Sequence, residues 1–259
     1  MTSKPPVGIP NVGNSCYLTS TVQLLRVWDY TRDVEWLWSS NARALRHQVA
    51  QRYRQFNNNQ QHDAHEFLLA VLDVMGKDVD QDASTCGVVH STVRCPESKE
   101  TSTVEQYFSV LTLPVRDTLM QSLVDFQAEE TLCDGWKSPK MINGEVPIEA
   151  TTYKRSVVTA LPASSVVLHL KRFCFTSGQA RKIVRPMPMP FSFVRDHKIW
   201  KLTAFVLHSG NPGGGHYVGF VRHREGTSWY CCNDASVRRS DLHEVEQRAK
   251  CAYLYLYTR

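Results

Sequence analysis

The chain has 259 residues, 42% of them hydrophobic and 21% charged, which describes a folded globular protein of one large domain or two small ones and excludes a disordered one. Net charge is +5, from 30 basic and 25 acidic residues, too mild an excess to point to nucleic acid by itself. No apolar run reaches membrane-spanning length and the first residues, MTSKPPVGIPN, lack the apolar core of a secretory signal, so the expectation is an intracellular protein, cytoplasmic or nuclear, free-standing or a domain of a longer one.

In chain order, helical spacing comes first. From Ser15, Leu18, Val22 and Leu25 recur on one face. From Asn41, Leu45, Val49, Tyr53 and Phe56 do the same. The run NNNQQHD then interrupts the pattern, and DAHEFLLAVLDVMG resumes it. Asp63 with Glu66 has the form of a capping box opening that helix, and Gly76 ends it. Beyond Gly87 the texture becomes strand-like. TVEQYFSVLTLPV and SSVVLHLKRFCF read as strands, and residues from Met120 to Glu130 as one short helix between them. RPMPMPF is a loop or edge because its prolines lack N–H donors. KLTAFVLHSG, GHYVGFVRH, SWYCCND and AYLYLYTR follow as successive strands. Helices first and an antiparallel sheet afterwards is the α+β pattern. The basic segments Arg43 to Arg54 and Lys171 to Arg185 read as solvated faces.

Eight cysteines are scattered through the chain and are expected to be mostly reduced thiols. Cys231 and Cys232 are adjacent, so in a strand they point to opposite faces. Cys16 differs from the rest, since it stands where the loop GNS becomes a helix. The helix dipole and free N–H groups favour a thiolate there, although a buried structural cysteine fits the position as well. A nucleophile needs a base and a group to orient it. His216 follows three glycines, and Asn233 and Asp234 end an aromatic strand, where either can accept from an imidazole or form an ordinary turn.

Five blocks, GIPNVGNSCYLTS, QHDAHEFLLAVLD, LPASSVVLHLKRF, GGGHYVGFVR and WYCCNDASV, together resemble the signature blocks of the ubiquitin-specific proteases, in family order, over Gly8 to Tyr257. The resemblance implies a papain-like cysteine deubiquitinase of the fingers, palm and thumb type. It would be a single domain, with a helical thumb over about 8–80 and fingers and palm over about 85–259. Cys16 is then the nucleophile and His216 the general base. Asn233 is similar to the orienting position, Asp234 to the acidic residue that shares this work in some members, and Asn11 to an oxyanion-hole amide. Gln61, Asp63, Glu66 and Tyr217 correspond to residues around the ubiquitin tail, although capping alone explains Asp63 with Glu66.

The implied reaction cleaves after the terminal glycine of ubiquitin through a thioester. The partner is ubiquitin or a conjugate, the chain a monomer, and no cofactor, nucleic acid or membrane is involved. The alternatives are the same chemistry on a ubiquitin-like modifier with the same tail, such as the interferon-induced two-domain one, or an inactive ubiquitin-binding module. Many members bind structural zinc through two C-x-x-C pairs at the fingertips. Here those positions are Cys95 with Ser98, then residues near Ser138 and Met141, so the thiolate set is broken and a metal-free finger is expected. Cys86, His90, Cys95 and Cys133 offer an irregular substitute.

Overall fold

The computed structural model describes residues 5–28, 33–76, 86–96, 99–132, 151–176, 178–223 and 226–259. Three helices come first: α1 (Cys16–Arg26), α2 (Ala42–Ala50) and α3 (Ala64–Val74). Asn41 caps α2 and Asp63 caps α3, each accepting two backbone N–H groups of the first turn. Gly76 follows α3 with φ +63°, as its position at the end of the periodic run predicts. Contrary to the apolar spacing, α2 stops at Ala50, and Phe56 belongs to a separate 3₁₀ turn over Arg54–Phe56 that Tyr53 precedes. Phe56 reaches the core from there, edge-on to Phe67 at 5.1 Å.

The remaining elements are β1 (Gly87–Cys95), β2 (Glu100–Phe108), β3 (Val110–Leu113), α4 (Leu119–Phe126), β4 (Glu130–Leu132), β5 (Thr152–Ala160), β6 (Ser165–Leu170), β7 (Phe173–Thr176) and β8 (Gln179–Lys182). They continue with β9 (Ser192–Arg195), β10 (Lys198–Asn211), β11 (Gly214–Arg222), β12 (Trp229–Asn233), β13 (Ser236–Ser240), α5 (Leu242–Ala249) and β14 (Ala252–Thr258). The large sheet runs β13-β12-β11-β10-β14-β6-β3, with β9 on β10, while β2-β1-β5-β4 form a second sheet and β7-β8 a hairpin. All pairs are antiparallel except β3 with β6, which the sequence pattern did not separate from the rest. α5 also departs from helices-first order. Asp241 caps it, and Val245 and Ala249 bury one turn apart.

Period-two alternation gives the large sheet two buried faces. Ala204, Val206, Leu254, Leu256 and Cys232 turn toward α1–α3. Phe205, Leu207, Tyr255, Tyr257 and Cys231 turn toward a second core shared with α4 and α5. Cys231 and Cys232 thus part to opposite faces as expected. Phe205 and Phe220 stack at 4.9 Å and anchor the second core. Burying each ring contributes roughly 1.5–3 kcal/mol.

The segment Lys171 to Arg185 is not a solvated face throughout. Arg172 is fully buried and donates to the carbonyls of Ala252, Ile183, Arg185 and Lys250 at 2.6–3.1 Å. Its fork ties the segment after β6 to the start of β14, with no carboxylate among these partners.

Candidate active site

α1 begins without a side-chain cap, unlike α2 and α3. The loop before it is shaped by Asn11, whose Oδ1 accepts from the N–H of Gly13, the N–H of Ser15 and the Ser15 hydroxyl, all at 3.1 Å. Gly13 and Asn14 take φ +98° and +47°, turning the chain sharply into Cys16. No side chain caps the first N–H groups of α1, and those of Cys16 and Tyr17, with that of Tyr217 on β11, act to lower the Cys16 thiol. The sulfur is nevertheless buried, and burial pushes its thiol above the ordinary value, with the Asp234 charge acting in the same direction. The expectation that the helix start alone would favour thiolate is therefore corrected: desolvation outweighs the pull of the nearby N–H groups.

Tyr217 directly follows His216 on β11, and α1 packs against this strand. His216 Nε2 lies 2.6 Å from Asn233 Oδ1. An amide oxygen can only accept, so Nε2 carries the proton and Nδ1 stands free as the basic nitrogen. Asp234 is farther, with its Oδ2 at 4.0 Å from His216 Nε2. Its carboxylate is already engaged by the Asn11 amide at 3.0 Å and the Thr19 hydroxyl at 2.7 Å. Asp234 is a non-glycine residue at φ +52°, and its carbonyl accepts from Ile9 at 2.9 Å. A Cβ at Gly8 would fall 2.2 Å from the Ala235 carbonyl, so only glycine lets these two segments close together. The pair Asn233 and Asp234, left open by the sequence, thus divides: Asn233 meets the imidazole, and Asp234 meets Asn11 and Thr19.

The adjoining cleft is a cavity of about 300 Å³ whose walls include Gln61, Asp63, Phe173, His208 and Tyr217. Gln61 pairs twice with Gly215, donating to its carbonyl at 2.6 Å and accepting its N–H at 3.0 Å. Asp63 Oδ1 caps α3, and its Oδ2 accepts from the hydroxyls of Tyr253 at 2.8 Å and Tyr217 at 3.3 Å. Burial pushes both phenols up, so they remain donors. Glu66 is exposed on the same helix and outside the cavity wall. The sequence reading missed Thr19, Tyr253 and His208. They lie in strands and a helix whose apolar periodicity hides polar tips, and nothing in their local pattern marks them.

The sequence model of the family described as ubiquitin carboxyl-terminal hydrolase matches residues 35–257. The chain belongs to the ubiquitin carboxyl-terminal hydrolase family. Among its relatives, "Probable ubiquitin carboxyl-terminal hydrolase 3" of Schizosaccharomyces pombe is 29% identical over 67% of this chain and 38% of the relative. The Drosophila melanogaster ubiquitin carboxyl-terminal hydrolase Usp2 is 21% identical over 97% of this chain and 34% of its own length. The chain thus spans little more than a third of either. A solved SAGA deubiquitinase module of Ubp8, Sgf11, Sus1 and Sgf73 bound to monoubiquitin contains a chain of the same fold. Its TM-score is 0.78 at 22% identity, covering 98% of this chain and 69% of that one.

In this member of the hydrolase family the finger strands carry side chains engaged locally. His90 pairs with Glu105 at 3.1 Å, Cys86 meets the Ser109 hydroxyl at 3.8 Å, and Cys95 is buried. Cys133, Ser98, Ser138 and Met141 lie outside the described residues. Among the described residues, no three His, Cys, Asp or Glu side chains gather as metal ligands, and none of the helices is long and apolar enough to cross a membrane.

Proposed function

We propose that this hydrolase domain cleaves the peptide or isopeptide bond after the C-terminal glycine of ubiquitin through a thioester on Cys16. The observation that carries the reading is the junction of α1 with β11 and β12. There buried Cys16 opens α1, which packs on β11, and His216 on β11 is held through its Nε2 by Asn233, leaving Nδ1 as its basic nitrogen.

His216 takes the thiol proton as the sulfur attacks the glycine carbonyl, because a buried thiol needs a base at hand. Asn11 uses one amide hydrogen on Asp234 and keeps the other for the oxyanion, alongside the N–H groups at the uncapped start of α1. The tetrahedral intermediate collapses, and the lysine amine leaves with the proton from His216. Water then hydrolyses the thioester, with His216 as base again. The tail lies in the cleft of Gln61 and Tyr217. Asp63 shapes that cleft by accepting from the hydroxyls of Tyr217 and Tyr253.

The test is reaction of the purified protein with an electrophilic ubiquitin probe and a matched ubiquitin-like probe, followed by mapping of the adduct. A ubiquitin adduct on Cys16, abolished in Cys16→Ala while that variant still binds ubiquitin, is the expected result. Absence of any adduct, or one on another cysteine, defeats the assignment.

A further inference from the structure

β11 is covered unevenly along the edge that faces away from β10. Its register with β10 pairs Gly210 with Gly215, Ser209 with His216 and His208 with Tyr217. In an antiparallel ladder, the backbone groups of alternate residues point to opposite sides. Gly215 directs its N–H and carbonyl to Gln61, so by alternation the groups of Gly215 and Tyr217 line the outer edge. β12 covers that edge only from Gly219 to Arg222. Between the end of β12 and the open turn, the partner of Gly215 is a single side-chain carboxamide.

A carboxamide has the same donor and acceptor as a peptide unit, and here it makes the two bonds a neighbouring strand would make. The cavity beside it is lined by Gln61, Pro212, Gly213 and Tyr217. A Cβ at Gly215 would lie 2.2 Å from the Ser209 carbonyl and 2.3 Å from His208 Nε2, so this edge position admits only glycine and stays flat. A Cβ at Gly213 or Gly214 would meet nothing within 4 Å, which leaves the outer end of the edge open.

We propose that Gln61 is a removable one-residue strand: it caps the free edge of β11 in the unliganded protein, and the extended C-terminal tail of the substrate displaces it and takes over the N–H and carbonyl of Gly215. This rests on the reading that a C-terminal tail enters the cleft toward Cys16. It makes the specificity partly a matter of backbone pairing, since a segment added at the Gly215 edge runs its last residue to the Tyr217 and Cys16 end. Gln61 is then a positioning residue of the free state, exchanged for substrate main chain on binding.

Amide hydrogen exchange at Gly215 tests the exchange of partners. In the free wild-type protein the Gly215 amide is expected to be protected, and in free Gln61→Ala to exchange about ten-fold faster, the loss of one net hydrogen bond. After reaction with ubiquitin aldehyde, checked by intact mass, protection of Gly215 is expected in both proteins alike. If free Gln61→Ala protects Gly215 as wild type does, Gln61 is no cap. If the Gln61→Ala adduct forms and Gly215 still exchanges fast, no tail replaces the carboxamide, and the proposal fails while the hydrolase reading stands. If neither protein forms an adduct, the functional reading fails and takes this proposal with it.

Discussion

The two halves of β11 are built to opposite rules. From Val218 onward the strand is flanked by β10 and then β12, Phe220 stacks on Phe205, and a Cβ at Gly219 would sit 3.3 Å from the Ser20 carbonyl of α1. From Gly214 to His216 it is exposed or half-exposed, keeps β10 on one side and, among the described residues, meets Gln61 on the other. The packed half fixes where the strand lies. The loose half keeps backbone groups and an imidazole available for something that arrives later. Local stability is unequal for that reason, with few apolar contacts at the end that carries His216.

The largest expected effect breaks the packed half. Phe220→Ala removes a fully enclosed ring and should cost about 3–5 kcal/mol in denaturant unfolding. A loss under 1 kcal/mol would mean that the two halves do not differ as described.

Next is the imidazole at the loose end. Asn233→Ala should lower kcat on the order of a hundred-fold, with Asn233→Asp recovering most of it, because only the nearer residue bonds Nε2. An equal drop in Asp234→Asn alone would transfer the orienting role to Asp234.

A third comparison concerns protons. His169, stacked on His65 at 3.7 Å, is pushed down to about 2, and His208 to about 4, in both cases chiefly by burial. Their folded values lie below the unfolded value of about 6.5, so the unfolded chain binds more protons in acid. Stability is therefore full above about 6.5 and falls as the pH drops toward 4, by roughly 1.4 kcal/mol per pH unit for each of these histidines. Unfolding free energies measured between pH 7 and 4 that stay flat would show that the two imidazoles are hydrated. The smallest effect belongs to Gly213→Ala at the open turn, within about 0.5 kcal/mol of wild type by the same unfolding measurement, since no atom lies near the added methyl.

Much of this was legible beforehand. The helix spacing around Leu18, Val22 and Leu25, the cap at Asp63, the strands from Lys201 onward and the resemblance carried by five blocks all survive in three dimensions. What stayed hidden depended on contacts between distant segments. Arg172 looked solvated because nothing near it in sequence reveals four carbonyls converging from residues 183, 185, 250 and 252. α5 was missed although Asp241 and the Val245–Ala249 spacing were in view, since eight residues give too short a run to stand out among strands.

The sequence by itself determined the class of fold and the cast of side chains at the site: a cysteine opening a helix, a histidine after glycines, an amide and a carboxylate at a strand end. These follow from periodicity and from chemical types set in order along one chain. Tertiary structure alone decided that Asn233 rather than Asp234 faces the imidazole, that burial raises the Cys16 thiol despite its helix, and that Gln61 closes the edge of β11. The physical reason is common to all three: desolvation and hydrogen-bond pairing are set by which groups approach within about 3 Å, and that distance is fixed only when α1, α3 and β10–β12 pack together.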